Sequence, residues 1–271
     1  MAQVREIKSR IANIKDIKQI TKAMNAIAMA KVTRLKKQLN NARPYQEAIN
    51  SKLELLQEAG RNDSDEKEAI SPLLEKGAGD AIGLVVFNSD RGLSGNYTVD
   101  INRSARDFVR SRDREVKLFA GGEKALQFFR KWDELDSSWV EFYQEPDFEA
   151  AEAIATELLD RYISGSVGEL WVVYMEFISD LKQKLRVEKI LPLSPDEIEE
   201  ESETEGTGGD VGGPRGEEYL FDPGQDKIIS AFLDEWFMEK IFWIILNTKA
   251  SENAIRRKAM RDATDNANEL I

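Results

Sequence analysis

The chain has 271 residues, neither cysteine nor histidine, and a net charge of −12 at neutral pH. The missing residues remove disulfides, thiol nucleophiles, Cys- or His-based metal centres and the usual general base, which weighs against an enzyme. The acidic balance weighs against nucleic acid as a partner, while 41% hydrophobic residues supply a real core and 32% charged residues suit long solvated helices.

Residues 4–56 have helical periodicity. Val4, Ile7, Ile11 and Ile14 are spaced by three and four, Ile17, Ile20, Met24 and Ile27 repeat the pattern, and Ala28, Val32, Leu35 and Leu39 carry it onward. This predicts a coiled-coil seam with a phase slip between Ile14 and Ile17. Pro44 is the first interruption, after which helix resumes. A continuous helix of about 50 residues spans about 75 Å at 1.5 Å per residue, too long to bury in a domain of this size. Residues 1–43 carry eleven basic side chains against Glu6 and Asp16. A basic arm on an acidic protein matches a partner surface of opposite sign; a plain solvated face is the alternative reading. Residues 21–31 are rich in Ala and Met with few charges, a composition suited to an enclosed or sliding contact.

Residues 58–80 hold glycines, Pro72 and small polar residues, and read as a connector. Then α/β alternation begins. Residues 82–87 form a continuous apolar run, the mark of a buried strand. A glycine-bearing loop, 88–97, follows. Residues 99–110, 124–131 and 148–163 read as helices; 116–119, 139–143, 170–177 and 186–191 read as strands. The alternation predicts a parallel, Rossmann-like sheet. The GxGxxG turn expected of a dinucleotide site after the first strand is missing.

Residues 194–222 carry eleven acidic side chains against Arg215, with six glycines, and read as a mobile acidic loop. EF-hand ligand spacing is absent. Residues 226–271 read as a last helix. Its first half has a wide apolar face from Ile228 to Ile245, destined for the sheet or the lower first helix. Its second half narrows to Ala254, Ile255, Ala259, Ala263 and Ala267, small residues that let two helices approach closely. Residues 228–246 include Asp234, Glu235, Glu239 and Lys240, so they are a poor membrane span. No signal peptide is visible, and a soluble, intracellular protein is expected.

Several motifs together resemble one family. Ile20-Thr21-Lys22-Ala23-Met24 with Ala28 and Ala30-Lys31 is similar to the N-terminal signature of the gamma subunit of F-type ATP synthases. Residues 89–95, Leu191-Pro192-Leu193 and the stretch 219–223 follow in the family's order. Ala250-Ser251-Glu252, Met260, Ala263-Thr264-Asp265-Asn266-Ala267 and Glu269-Leu270-Ile271 resemble its C-terminal motif. The resemblance runs over essentially the whole chain. It implies a rotor stalk: an antiparallel coiled coil of the two terminal helices inside a ring of alpha and beta subunits, on an α/β foot near an epsilon-type subunit and the membrane rotor ring. ATP chemistry would lie in the beta subunits, so this chain would hold no catalytic residue, cofactor or metal. One copy would serve each complex at the cytoplasmic face of a cell membrane.

By position, Lys22, Met24, Lys31, Arg34 and Lys36, with Asp90 and Arg91, would face the ring and its acidic lever loops, as would Arg256, Arg257 and Met260. Tyr219, Leu220 and Asp222 would touch the rotor ring. The segments so defined are a coiled-coil helix (1–57), a connector (58–80), the α/β domain (81–193), the acidic loop (194–223) and the second coiled-coil helix (224–271). Ser94 and Asn96 stand where the family usually has Cys and Gly, residues 184–189 are more charged than usual, and the family's last helix continues several turns beyond the position of Ile271, so a shortened or unusual member is expected. Without cysteine, thiol control is excluded. Two other readings compete: an adaptor with a coiled coil and an α/β binding domain, and a basic-arm nucleic-acid binder. The latter is opposed by the lack of any aromatic in residues 1–43.

Overall fold

The computed structural model describes residues 2–62, 71–141, 147–193 and 225–271, with side chains placed for 4–44, 71–141, 147–193 and 230–271. The acidic loop and Tyr219, Leu220 and Asp222 lie outside the described residues. Helix α1 covers Ala2–Asn62 and passes through Pro44. Residues 40, 41, 43 and 44 are exposed, so the carbonyl that loses its donor to proline faces water. The helix therefore runs five residues past the expected boundary at 57. After a short 3-10 turn, Pro72–Leu74, come β1 (Ile82–Phe87), α2 (Tyr97–Arg110), β2 (Val116–Gly121), α3 (Glu123–Phe129), β3 (Leu135–Trp139), α4 (Phe148–Ile163), β4 (Glu169–Phe177), β5 (Gln183–Leu191) and the last helix, α5 (Gln225–Leu270).

The strands form one sheet in the order β3-β2-β1-β4-β5. The first four are mutually parallel and β5 is antiparallel to β4. This is the Rossmann-like sheet read from the alternation. One face carries Val85, Phe87, Phe119, Val172 and Tyr174 against α4 and the lower half of α5, including Leu233, Phe237, Ile241 and Ile244. The other carries Leu84, Val86, Leu118, Val173 and Met175 against α2 and α3. Both faces are covered, which is why β1 is apolar throughout. The third strand lies at 135–139, four residues before its expected place. The ladder ends where Gly122 N–H donates to the Trp139 carbonyl at 2.7 Å; Val140 then turns outward and Glu141 adopts a φ of 65°. Trp139 anchors the strand by stacking on Phe119 and donating to Glu157.

Helices α1 and α5 lie antiparallel, as expected. Thr21 meets Thr264 hydroxyl to hydroxyl at 2.7 Å, and Leu35 and Leu39 pack with Leu246 and Ala250. The seam, however, has no phase slip. Ile14, Thr21, Ala28, Leu35 and Ala42 are spaced by seven, as are Ile11, Lys18, Asn25, Val32 and Leu39, and all ten are buried or half-buried. Ile17, Ile20 and Ile27 lie on another face and are 53%, 59% and 59% exposed. α1 thus carries two apolar stripes, and the uninterrupted heptad, with Thr and Ala at its upper positions, is the one α5 occupies. On the Thr21–Thr264 register Ile271 stands level with Ile14, so the first three turns of α1, with exposed Val4 and Ile7, project past it.

Candidate functional site at the junction of the helix pair and the sheet

The C-terminal ends of β1 and β4 point at one segment of α5. The loop after β1 is held from within. The Asn88 side chain, fully buried, donates to the Thr98 carbonyl and to Asn102 and accepts from Ser89 N–H. Asp90 accepts from Glu123 N–H at 3.1 Å, where α3 begins, and from Glu141 N–H at 3.4 Å. A carboxylate at a helix start satisfies a backbone donor that has no intrahelical partner. Gly95, at a φ of 56°, lets the loop turn onto α5, where Ile255 and Ala259 lie beneath it. These two residues therefore pack on the loop, not in the α1 seam assigned to them from the sequence.

From α5, Arg256 donates to the carbonyls of Arg91 and Gly92 at 3.2 Å and pairs with Glu252 at 2.5 Å. Glu252 is 1% exposed and also pairs with Lys249 at 3.0 Å. Tyr97, wholly buried at the start of α2, donates to the Thr248 carbonyl at 3.2 Å. Burial pushes its phenol well above the usual value, with Glu252 adding to the shift. Asn247 accepts from Phe177 N–H, the last residue of β4. Asp180, in the β4–β5 turn, pairs with Arg257 and with Lys36 of α1. Lys31 of α1 looks onto the same cluster. Partial burial and then Lys249 lower its pKa, while Glu252 opposes the shift. Around the Glu252 carboxylate the cations are in excess.

The strand order reverses between β1 and β4, the crevice where doubly wound sheets bind ligands. Here α5 occupies it. Among the described residues no group of acidic side chains could hold a metal ion, and no helix is long and apolar enough to cross a membrane.

The ten expected ring-facing residues divide. Lys22, Arg34 and Arg91 are exposed and Met24 and Lys31 are half-buried. The other five also make contacts within the chain. Asp90 turns inward onto backbone donors. Arg256 has a side chain only 11% exposed, spent on the 91–92 carbonyls and Glu252. Arg257 and Lys36 engage Asp180, and Met260 is buried. These residues were assigned to the ring by their place in the family's pattern; the sheet packed against α5 also offers them carbonyls and carboxylates. Glu252, Lys249, Tyr97, Asn247 and Asp180 were not anticipated as junction residues. Only the family-like Ala250-Ser251-Glu252 segment marked the place.

A family model described as ATP synthase matches residues 3–271. The ATP synthase gamma chain of Staphylococcus epidermidis is 33% identical over 275 aligned residues, covering 100% of this chain and 90% of that one. The chain belongs to the ATP synthase gamma chain family. The gamma chain of Desulfitobacterium hafniense is 30% identical, with 100% and 89% covered. Among solved structures, the central stalk and c-ring of the Tetrahymena thermophila mitochondrial ATP synthase contains a chain that superposes with a TM-score of 0.66 at 23% identity, over 90% of this chain and 99% of that one. A chain of the Euglena gracilis mitochondrial rotor gives 0.60 at 15%, over 99% and 93%. These likenesses show the gamma chain fold of two long helices on a Rossmann-like foot.

Proposed function

We propose that this gamma chain is the central rotor shaft of an F-type ATP synthase, passing ion-driven rotation of a membrane ring to conformational change in catalytic beta subunits. The observation that carries this is the helix pair itself: two terminal helices joined along one seam and gripped at its base by the sheet. Such an element is stiff in bending and fixed to its foot, as a shaft must be. The chain contributes no catalytic group of its own; α5 fills the crevice where its sheet would bind a ligand. As a member of its family it is a peripheral part of a membrane-associated complex, and the proposed side is the cytoplasmic face. The surfaces proposed to meet the alpha–beta ring are the exposed Ile17, Ile20 and Ile27 stripe with Lys31 and Arg34, the opposite flank of α1 with Lys22, and Arg91. An apolar stripe left exposed among the described residues is suited to an enclosing collar, and the cations are suited to acidic levers. The foot is proposed to meet an epsilon-type subunit and, through Tyr219, Leu220 and Asp222, the rotor ring.

Reconstitution tests the reading. Alpha and beta subunits mixed with this chain should yield a six-subunit ring holding one copy, with ATP turnover changed from that of the ring alone. A chain that enters no ring under any condition overturns the proposal.

A further inference from the structure

The turn between β4 and β5 is built around one carboxylate. Ser179 and Lys182 close it through paired backbone bonds, and the Ser179 hydroxyl accepts from the N–H groups of Leu181 and Lys182. Asp180 is thereby aimed at the helix pair. One of its oxygens accepts from Arg257 of α5 at 3.1 Å. The other, shut off from water and without a hydrogen bond from the described residues, lies 3.3 Å from Lys36 Nζ of α1. A carboxylate oxygen removed from water needs a cation beside it, so the geometry holds both helices to one turn. Carried along the Thr21–Thr264 register, Lys36 stands level with Lys249, eight residues from Arg257. The two cations therefore reach Asp180 from positions about 12 Å apart along the shaft axis. On α5, Arg256 grips the loop after β1 while its neighbour Arg257 grips the turn after β4.

We propose that Asp180 is a positioning residue for torque: a charge clamp that keys the foot to both helices of the shaft at once, so that neither helix slides along the seam when the foot turns. Arg256 fixes α5 alone; Asp180 adds α1. The mechanical half of this proposal rests on the shaft reading above, and the clamp itself does not.

The test uses the full chain and the reconstituted complex. Asp180→Asn keeps the shape and removes the charge. Hydrogen exchange of residues 178–182 and of α1 near Lys36 should quicken about threefold at low salt, with the difference from the unsubstituted chain shrinking at high salt. Exchange in β1 and β2 should not change. In membranes carrying the complex, ATP-driven ion pumping per ATP hydrolysed should fall. The charge-reversed triple variant, Asp180→Lys with Lys36→Glu and Arg257→Glu, should restore both readouts, which a purely steric role would not allow. Unchanged exchange at low salt overturns the clamp. Quickened exchange with an unchanged pumping ratio overturns its role in torque. If the unsubstituted chain joins no ring, the shaft reading falls, and the exchange arm alone still decides the clamp.

Discussion

Replacing Glu252 by Gln should loosen the junction more than any other change of one charge. The carboxylate is 1% exposed and lies 3.0 Å from Lys249 and 2.5 Å from Arg256, whose side chains are only 8% and 11% exposed. Removing one member of a buried ion pair costs about 3–5 kcal/mol, because the remaining charge is left uncompensated. Glutamine keeps a carbonyl acceptor, and Arg256 keeps the carbonyls of Arg91 and Gly92, so the loss should sit near the lower figure, about 3 kcal/mol. At about 2–4 °C per kcal/mol for a chain of this size, the melting temperature of the full chain should fall by about 6–12 °C. Lys31 supplies the internal check. Glu252 favours its charged form against burial and the cations around it, so adding Lys31→Met to Glu252→Gln should return part of the loss. Calorimetry on the two variants decides the matter. A loss below about 1 kcal/mol, or no recovery in the double variant, would refute the view that Glu252 balances the cations of the junction.

Two further substitutions follow from the same region. The raised pKa of Tyr97 means that the folded state keeps its proton where the unfolded chain has lost it; stability is therefore full below about pH 10 and declines as pH rises from there toward the folded value. Tyr97→Phe should cost about 1 kcal/mol at neutral pH through the lost bond to Thr248, yet flatten the alkaline decline in denaturant titrations; Tyr162, held at about 12 by burial, contributes to what remains. An alkaline slope equal to that of the unsubstituted chain would sink this assignment. Gly122, at a φ of 94°, has the Asn88 carbonyl oxygen 2.4 Å from where a Cβ would lie. Gly122→Ala therefore meets backbone as well as left-handed strain and should cost more than about 3 kcal/mol, read as a large drop in soluble, cooperatively melting protein.

The fold was largely legible because its elements are long or strongly patterned. β1 is six apolar residues in a row between turn residues, the length and pattern of a strand covered on both faces. β3 was placed four residues late because its sequence, Leu-Asp-Ser-Ser-Trp, alternates at an edge, while the aromatics after it looked more strand-like. The seam was misread for a different reason. Ile17, Ile20 and Ile27 satisfy helical spacing as well as Thr21 and Ala28 do, and are more apolar. Hydrophobicity identifies a stripe that something covers. It does not say whether the cover is the same chain, and here α5 takes the stripe of smaller residues, where two backbones can come close.

The junction was the least legible part, and the cause is geometric. Arg256 and Arg257 are neighbours in sequence and point about 100° apart on the helix. One reaches the loop after β1 and the other the turn after β4, adjacent parallel strands of one sheet. No periodicity encodes this, because the partners are backbone carbonyls and a turn carboxylate whose positions exist only once the sheet has formed. The arrangement also explains why α5 takes the crevice that other doubly wound folds leave open. A ligand there would need the strand ends free, whereas the proposed shaft role needs them engaged. The same edge of the same sheet can bind or can grip, and in this chain Tyr97, Asn247, Arg256 and Arg257 commit it to gripping.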